Sequence, residues 1–236
     1  MAGSEAPSGD DAAVGGRGEP SSARAPDGAA DRVLVVATRS RHKLAELRDL
    51  LQLSRTRLLS LDDVGVTDEA PEDGATFEDN STFKARFYAK RSGLPTLADD
   101  SGLEVDALGG RPGVHTRRYA GPDAGDEDNN ARLLGALDGL PPERRTARYR
   151  CVLAFVDPSE RDGAEHVIVR RGTFEGRIAQ APRGTQGFGY DPIFEPAWEA
   201  PGGRTVGQYS AEEKNRVSHR AVAAREMRRV LVERGY

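Results

Sequence analysis

Leu97-Ala98-Asp99-Asp100-Ser101-Gly102 sets two adjacent carboxyl groups at the end of a short apolar run. Gly93 and Pro95 punctuate its start, and Leu94, Leu97 and Ala98 suit burial on a sheet. The spacing therefore predicts a strand that runs out into a turn at the acids, with Ser101 and Gly102 giving the backbone room. Binding residues in α/β proteins gather at such strand ends. Two carboxylates there can hold a hard divalent cation, and one of them can take a proton from water. The same residues fit a solvated turn, so the neighbouring motifs decide.

Thr38-Arg39-Ser40-Arg41-His42-Lys43 lies between an apolar run and a helical pattern. N–H groups at a helix start, the hydroxyls of Thr38 and Ser40, and the cations Arg39, Arg41 and Lys43 suit a polyphosphate. The glycine spacing of a P-loop is absent, and a solvated basic turn has the same composition. Glu72-Asp73-Gly74 precedes a second helix that carries Lys84 two turns inside it. Glu72 offers a third carboxylate to a cation near Asp99 and Asp100, although acids before a helix also complement its dipole. Gly187-Phe188-Gly189-Tyr190-Asp191-Pro192 places two aromatics in permissive backbone. A planar ligand stacked on Phe188 or Tyr190, with Asp191 reading an N–H edge, accounts for that composition. Lys214-Asn215-Arg216-Val217-Ser218-His219-Arg220 adds a dense set of donors, although a lone helix histidine is usually structural. Together the motifs call for a nucleoside triphosphate with Mg²⁺.

These residues need a scaffold. Val33-Leu34-Val35-Val36-Ala37 reads as a buried strand, and Leu44, Leu47, Leu50 and Leu51 recur at helical spacing after it. Leu58 to Leu61 suggests a second strand. Thr76 is a candidate N-cap for a helix ended by Gly93, with Phe77, Phe83, Phe87 and Tyr88 as its apolar face. Leu103 to Leu108 alternates as a half-buried strand, and Gly109-Gly110-Arg111-Pro112-Gly113 reads as a loop. Asn129 to Leu140 reads as a helix stopped by Pro141 and Pro142. Residues 146–157 and 164–174 read as an antiparallel pair joined through Asp162-Gly163, and Arg183 to Gly189 as an exposed loop. Ser210-Ala211-Glu212-Glu213 is a capping box for a helix running through Val232, with Ser218 capping a restart. The fold class is α/β: a mixed twisted sheet flanked by helices, with an antiparallel β extension.

Composition bounds the function. Residues 1–31 are rich in Ala, Gly, Ser and Pro with Val14 as the one large aliphatic residue after Met1, and read as a disordered tail. Six of the 38 acids and two of the 34 basic residues lie there, so the rest carries 32 of each. A neutral body argues against nucleic acid as the partner. No stretch resembles a secretory signal or a membrane span, which makes the cytoplasm the expected location. The single cysteine, Cys151, excludes an internal disulfide framework and a multi-cysteine zinc site.

The chain resembles the inosine triphosphate pyrophosphatase family, the noncanonical purine NTP pyrophosphatases or XTP/dITP diphosphatases. The resemblance spans Val33 to about Leu231 and rests on four ordered motifs: Ala37-Thr38…Lys43, Leu97 to Leu103, Gly187 to Pro192, and Glu213-Lys214…Ser218-His219-Arg220. It implies one elongated, ITPase-like domain over residues 32–236, a homodimer, and cleavage of ITP, dITP or XTP at the α-phosphorus to the monophosphate and pyrophosphate. On that reading Asp100 activates water and, with Glu72, contacts Mg²⁺. Lys43, Lys84 and Lys214 meet phosphates, helped by the hydroxyls of Thr38, Ser40 and Ser101. Donors from His219 or Arg220 meet the 6-keto oxygen of the base. Two departures stand out. Thr38-Arg39-Ser40 replaces the family's usual Thr-Gly-Asn, and Pro71 stands where many members carry the first of two acids.

Overall fold

The computed structural model describes residues 32–160 and 166–236. The tail of residues 1–31 and the turn predicted around Asp162-Gly163 lie outside the described residues. The β-branched run after the tail forms β1 (Arg32–Ala37), followed by α1 (Arg41–Leu51), β2 (Thr56–Leu59), α2 (Phe77–Ser92) and β3 (Thr96–Val105). The chain continues through α3 (Asp126–Ala136), β4 (Thr146–Val156), β5 (Ile168–Ile178), β6 (Phe194–Pro196), α4 (Ala211–Val217) and α5 (His219–Glu233).

The strands form one sheet in the order β2-β1-β3-β4-β5-β6. β1 is parallel to β2 and β3, whereas β3, β4, β5 and β6 pair antiparallel in succession. The mixed sheet with an antiparallel extension is thus as expected. α1 and α5 cover one face, where Leu47, Leu51, Met227 and Leu231 pack on Leu34, Val36, Leu97 and Leu153. α2 covers the other face and sets Ala85, Tyr88 and Ala89 against Val35, Ala98 and Ala154. A third cluster around Tyr149, Phe174, Ile193 and Phe194 fills the extension.

The caps follow the sequence closely. Thr76 caps α2 in a capping box with Asp79, and Gly93 closes it at φ +69°. Ser210 opens α4 in the same manner, and Ser218 ends α4 and caps α5, so the predicted restart is real. One glycine decides how close α5 comes: a Cβ on Gly172 of β5 would lie 2.0 Å from the His219 carbonyl oxygen. Only a bare backbone admits α5 at that distance, and its first residues are His219 and Arg220.

Several expectations need correction. The acids do not end a strand. Thr96–Val105 is one ten-residue strand, paired with β4 along its whole length, and Asp99 and Asp100 are buried in its middle. The half-buried strand expected at Leu103 to Leu108 is its continuation, and Asp106–Leu108 is already a tight turn. α3 starts a turn earlier than expected because Asp128 accepts the Gly125 N–H and acids fill its first turn. It stops at Ala136, where the buried Arg145 takes the Leu137 carbonyl. β2 lies two residues earlier than expected, in register with β1. The second strand of the antiparallel pair runs from Ile168 to Ile178, beyond its expected end. Phe83, expected on the buried face of α2, is 47% exposed and stacks on Phe87.

Candidate active site

β1 is short, and this creates the site. Its pairing with β3 stops at Ala37↔Ala98, after which the chain turns through Thr38, Arg39 and Ser40 into α1. Farther along, the Gly113–Arg118 turn flanks β3, and Leu103 N–H donates to Thr116 Oγ1. Asp99, Asp100 and Ser101 fall between these two neighbours and line a cavity of about 670 Å³. That volume suits a nucleotide-sized ligand. The site therefore sits where a strand ends, as expected, but the strand is β1.

Neighbouring residues of a strand point to opposite faces, so the two acids enter different surroundings. Asp100 faces α2. Its Oδ1 lies 2.9 Å from Lys84 Nζ, and its Oδ2 accepts from Asn80 Nδ2 at 3.2 Å. Lys84 Nζ also lies 2.9 Å from Glu72 Oε1. Burial pushes the Asp100 carboxyl up, and the neighbouring lysines offset only part of that rise. Glu72 keeps a lowered value: burial resists its charge, but Lys84, Lys43 and Arg118 together outweigh burial.

Asp99 faces α5. Lys43 Nζ reaches its Oδ1 at 2.6 Å, Arg220 Nε reaches Oδ2 at 3.0 Å, and Ser101 Oγ donates to Oδ1 at 3.0 Å. Burial disfavours its charge, yet Arg220 and Lys43 hold the carboxyl well below the usual range. The Cys151 thiol lies 3.2 Å from Oδ2, and burial pushes its pKa far up, so it is an inert neighbour rather than a nucleophile. Arg220 also donates to Ser101 Oγ at 2.7 Å and to Glu46. Glu46 in turn receives Lys214 Nζ at 2.8 Å. Among the described residues, three of the five guanidinium N–H groups of Arg220 are engaged and two are left.

The loop after β5 completes this side. Phe188 is half-buried, with His42 stacked on it at 5.0 Å and Lys214 Nζ 4.4 Å from its ring centroid. Asp191 is buried and accepts from Lys214 Nζ at 2.6 Å, Tyr149 Oη at 3.2 Å and the Phe188 N–H at 2.9 Å. Burial raises its pKa against the pull of Lys214. His219 stacks on Tyr149 at 4.6 Å and 6°, its buried Nδ1 has no hydrogen-bond partner among the described residues, and burial with Arg220 nearby keeps it neutral.

The expected residues mostly come together, with three shifts in place. Lys214, expected at phosphates, stands at the Phe188–Asp191 end of the cavity. Tyr190 is no free stacking surface: it is buried in the extension core and donates to the Thr116 carbonyl at 2.8 Å. Arg39 lines the cavity but spends its guanidinium on residues 62–68. Thr38 and Ser40 hold the turn itself, Thr38 Oγ1 accepting the Ser40 N–H and Ser40 Oγ capping α1 at Lys43. Arg41 and His42 are exposed at the rim, and Gly189 closes the loop through its N–H to Asp126 at 2.6 Å. Sequence reasoning missed Glu46, Asn80, Tyr149, Arg117 and Arg118, which line or brace the cavity. Glu46 carried one signal, an acid at helical spacing from Lys43 and Leu50 on α1; the others carried none without the fold.

Among the described residues no three or more His, Cys, Asp and Glu side chains form a metal cage. Glu72 and Asp100 nonetheless converge on one cation, the Lys84 ammonium. Two carboxylates lining a nucleotide-sized cavity are the donor set Mg²⁺ takes when substrate oxygens supply the rest. The residues fit such an ion.

Residues 34–230 match the Ham1 family. A dITP/XTP pyrophosphatase of Methylococcus capsulatus is 48% identical over 194 residues, covering 82% of this chain and 92% of that protein. One from Geobacter sulfurreducens is 47% identical over 190 residues, covering 80% and 92%. Among solved structures, a HAM1 protein from Coxiella burnetii superposes with a TM-score of 0.75 at 38% identity, covering 85% of this chain and 98% of that one.

Proposed function

The chain belongs to the Ham1 family, and from that premise we propose that it hydrolyses noncanonical purine nucleoside triphosphates (dITP, ITP and XTP) to the monophosphate and pyrophosphate. The names of its relatives support the substrate class. The observation that carries the chemistry is Asp100, a buried carboxylate with a raised pKa in the opening beside β1.

On this reading the triphosphate lies across the turn after β1, with Lys43 and Lys84 meeting its phosphate oxygens. Asp100 accepts a proton from the attacking water, which bonds to the α-phosphorus as the α–β phosphoanhydride breaks. Pyrophosphate leaves with the bridging oxygen and stays paired with the lysines until release. Glu72 and Asp100 would hold Mg²⁺, which supplies charge neutralisation on the phosphate oxygens. In the substrate-free protein Lys84 pairs with both carboxylates, which holds the three charged groups in place for the triphosphate.

The base is placed on Phe188, between that ring and the donors of α4 and α5. A 6-keto purine offers an acceptor to Arg220 or His219, whereas the 6-amino group of adenine leaves such donors unpaired. Buried unpaired donors discriminate strongly. The same reading takes the protein as a cytoplasmic homodimer; among the described residues no helix is long and apolar enough to cross a membrane. Pyrophosphate release from ITP, dITP, XTP, GTP, ATP and dTTP, with and without Mg²⁺, tests the reading. Fast turnover of the first three only with Mg²⁺ supports it, and equal turnover of ATP or dTTP overturns it.

A further inference from the structure

Arg39 is one of the residues at which this chain departs from the resembled pattern, a long cation in place of glycine. Its backbone needs no glycine, since Gln52 is the one non-glycine with positive φ among the described residues. Its guanidinium turns away from the acids. Nη1 donates to Asp62 Oδ1 at 3.0 Å, and Nη2 donates to the carbonyls of Val66 at 2.6 Å and Asp68 at 3.2 Å. Asp62 is 92% exposed, so that ion pair contributes little. The two charge-assisted bonds to main chain are the stronger part.

The segment so held, residues 60–76, has no helix or strand between β2 and α2. It delivers Ala70, whose N–H donates to Tyr88 Oη at 3.1 Å, and then Glu72 at the Lys84 ammonium. Long irregular segments lose much conformational entropy when fixed. Glu72 is still 45% exposed at its side chain, so its position depends on how the segment is held. Arg39 stands between Thr38 and Ser40, the two hydroxyl residues of the turn after β1. One side chain thus joins the phosphate-facing turn to the segment that presents the outer carboxylate.

We propose that Arg39 is a positioning residue: it fastens residues 62–68 to the turn after β1 and so presets Glu72 for the metal-bound triphosphate, without touching substrate. The proposal rests on the reading of Glu72 as a metal contact. It assigns Arg39 a planar fork, Nη1 on the Asp62 carboxylate and Nη2 on the Val66 and Asp68 carbonyls, and lysine's single ammonium does not span that spread of contacts.

The test compares Arg39→Met and Arg39→Lys in the full chain. Gly65 and Val66 donate their N–H groups to the carbonyls of Asp62 and Leu61 at 3.1 and 3.0 Å, and their exchange reports on the segment. In the substrate-free protein both variants are expected to exchange these two amides about tenfold faster, with the sheet amides unchanged. Both also need several-fold more Mg²⁺ for half-maximal rate, while KM for ITP at saturating Mg²⁺ stays within about twofold of the parent. A direct phosphate contact gives the opposite pattern: Arg39→Lys behaves like the parent, Arg39→Met raises KM, and exchange at Gly65 and Val66 is unchanged. That result overturns the proposal. Faster exchange with an unaltered Mg²⁺ requirement also overturns it, leaving Arg39 a structural tie. Glu72→Gln checks the underlying reading separately: an unaltered Mg²⁺ requirement there removes Glu72 from the metal, whatever the exchange of residues 65 and 66.

Discussion

The two faces of β3 solve opposite problems with neighbouring residues. On the α5 face, Asp99 is saturated: two cations, a hydroxyl and a thiol surround it, and Arg220, Glu46 and Lys214 extend the network to Asp191. On the α2 face, Asp100 has one lysine and one amide, and Lys84 is shared with a half-exposed Glu72. Closed networks resist change, and open ones exchange partners. On the proposed reading the first face supplies architecture and base reading, with Lys43 at its edge turned to phosphate, and the second face supplies bond-breaking.

Asp100→Asn is the sharpest way to break that division. It should lower kcat by about 10²–10⁴-fold, the range for losing a general base, with little change in thermal stability. A variant that keeps near-parental kcat would remove Asp100 from the base role. Asp99→Ala should act the other way round. It strands Arg220 and Lys43 beside a buried hole, and breaking a buried pair costs about 3–5 kcal/mol. Denaturant unfolding measures this, and a loss of activity without a loss of stability would erase the contrast between the faces.

A smaller effect concerns pH. His219 is held neutral in the folded protein, its pKa far below the ordinary value of 6.5. Between those values the unfolded chain binds the extra proton, so stability falls as pH drops below about 6.5. His219→Gln should flatten the decline in Tm from pH 7 to pH 5, and an unchanged slope would place the titration elsewhere. The smallest expected effect comes from deleting residues 1–31, which should leave kcat and KM as they are; a large fall in kcat would give the tail a part in the site.

How much of this could be read beforehand follows from where the causes lie. β1, the α2 caps and the Ser218 restart were legible because a local pattern fixes each: an apolar run, Thr76 with Asp79, and a serine at a helix break. The acids of β3 were misplaced because two adjacent charges look like the end of a strand. Their burial depends on Lys43, Lys84 and Arg220, and Arg220 lies 121 residues from Asp99. Arg39 beside a phosphate-like turn reads as a ligand for phosphate, and only the fold supplies Val66 and Asp68 as its partners. The contacts of Lys214 with Phe188 and Asp191 likewise needed α4 in place. Residue types announced the chemistry, but the division of labour needed contacts across the chain.

The end of β1 at Ala37 carries a consequence for how such proteins are compared. A β1 longer by two residues would pair with β3 beside Asp99 and Asp100 and seal the opening with main-chain hydrogen bonds. Every charged residue of the site would still be present. A descendant of this fold can therefore lose its reaction through strand length alone, and an inventory of retained motifs would not register the loss.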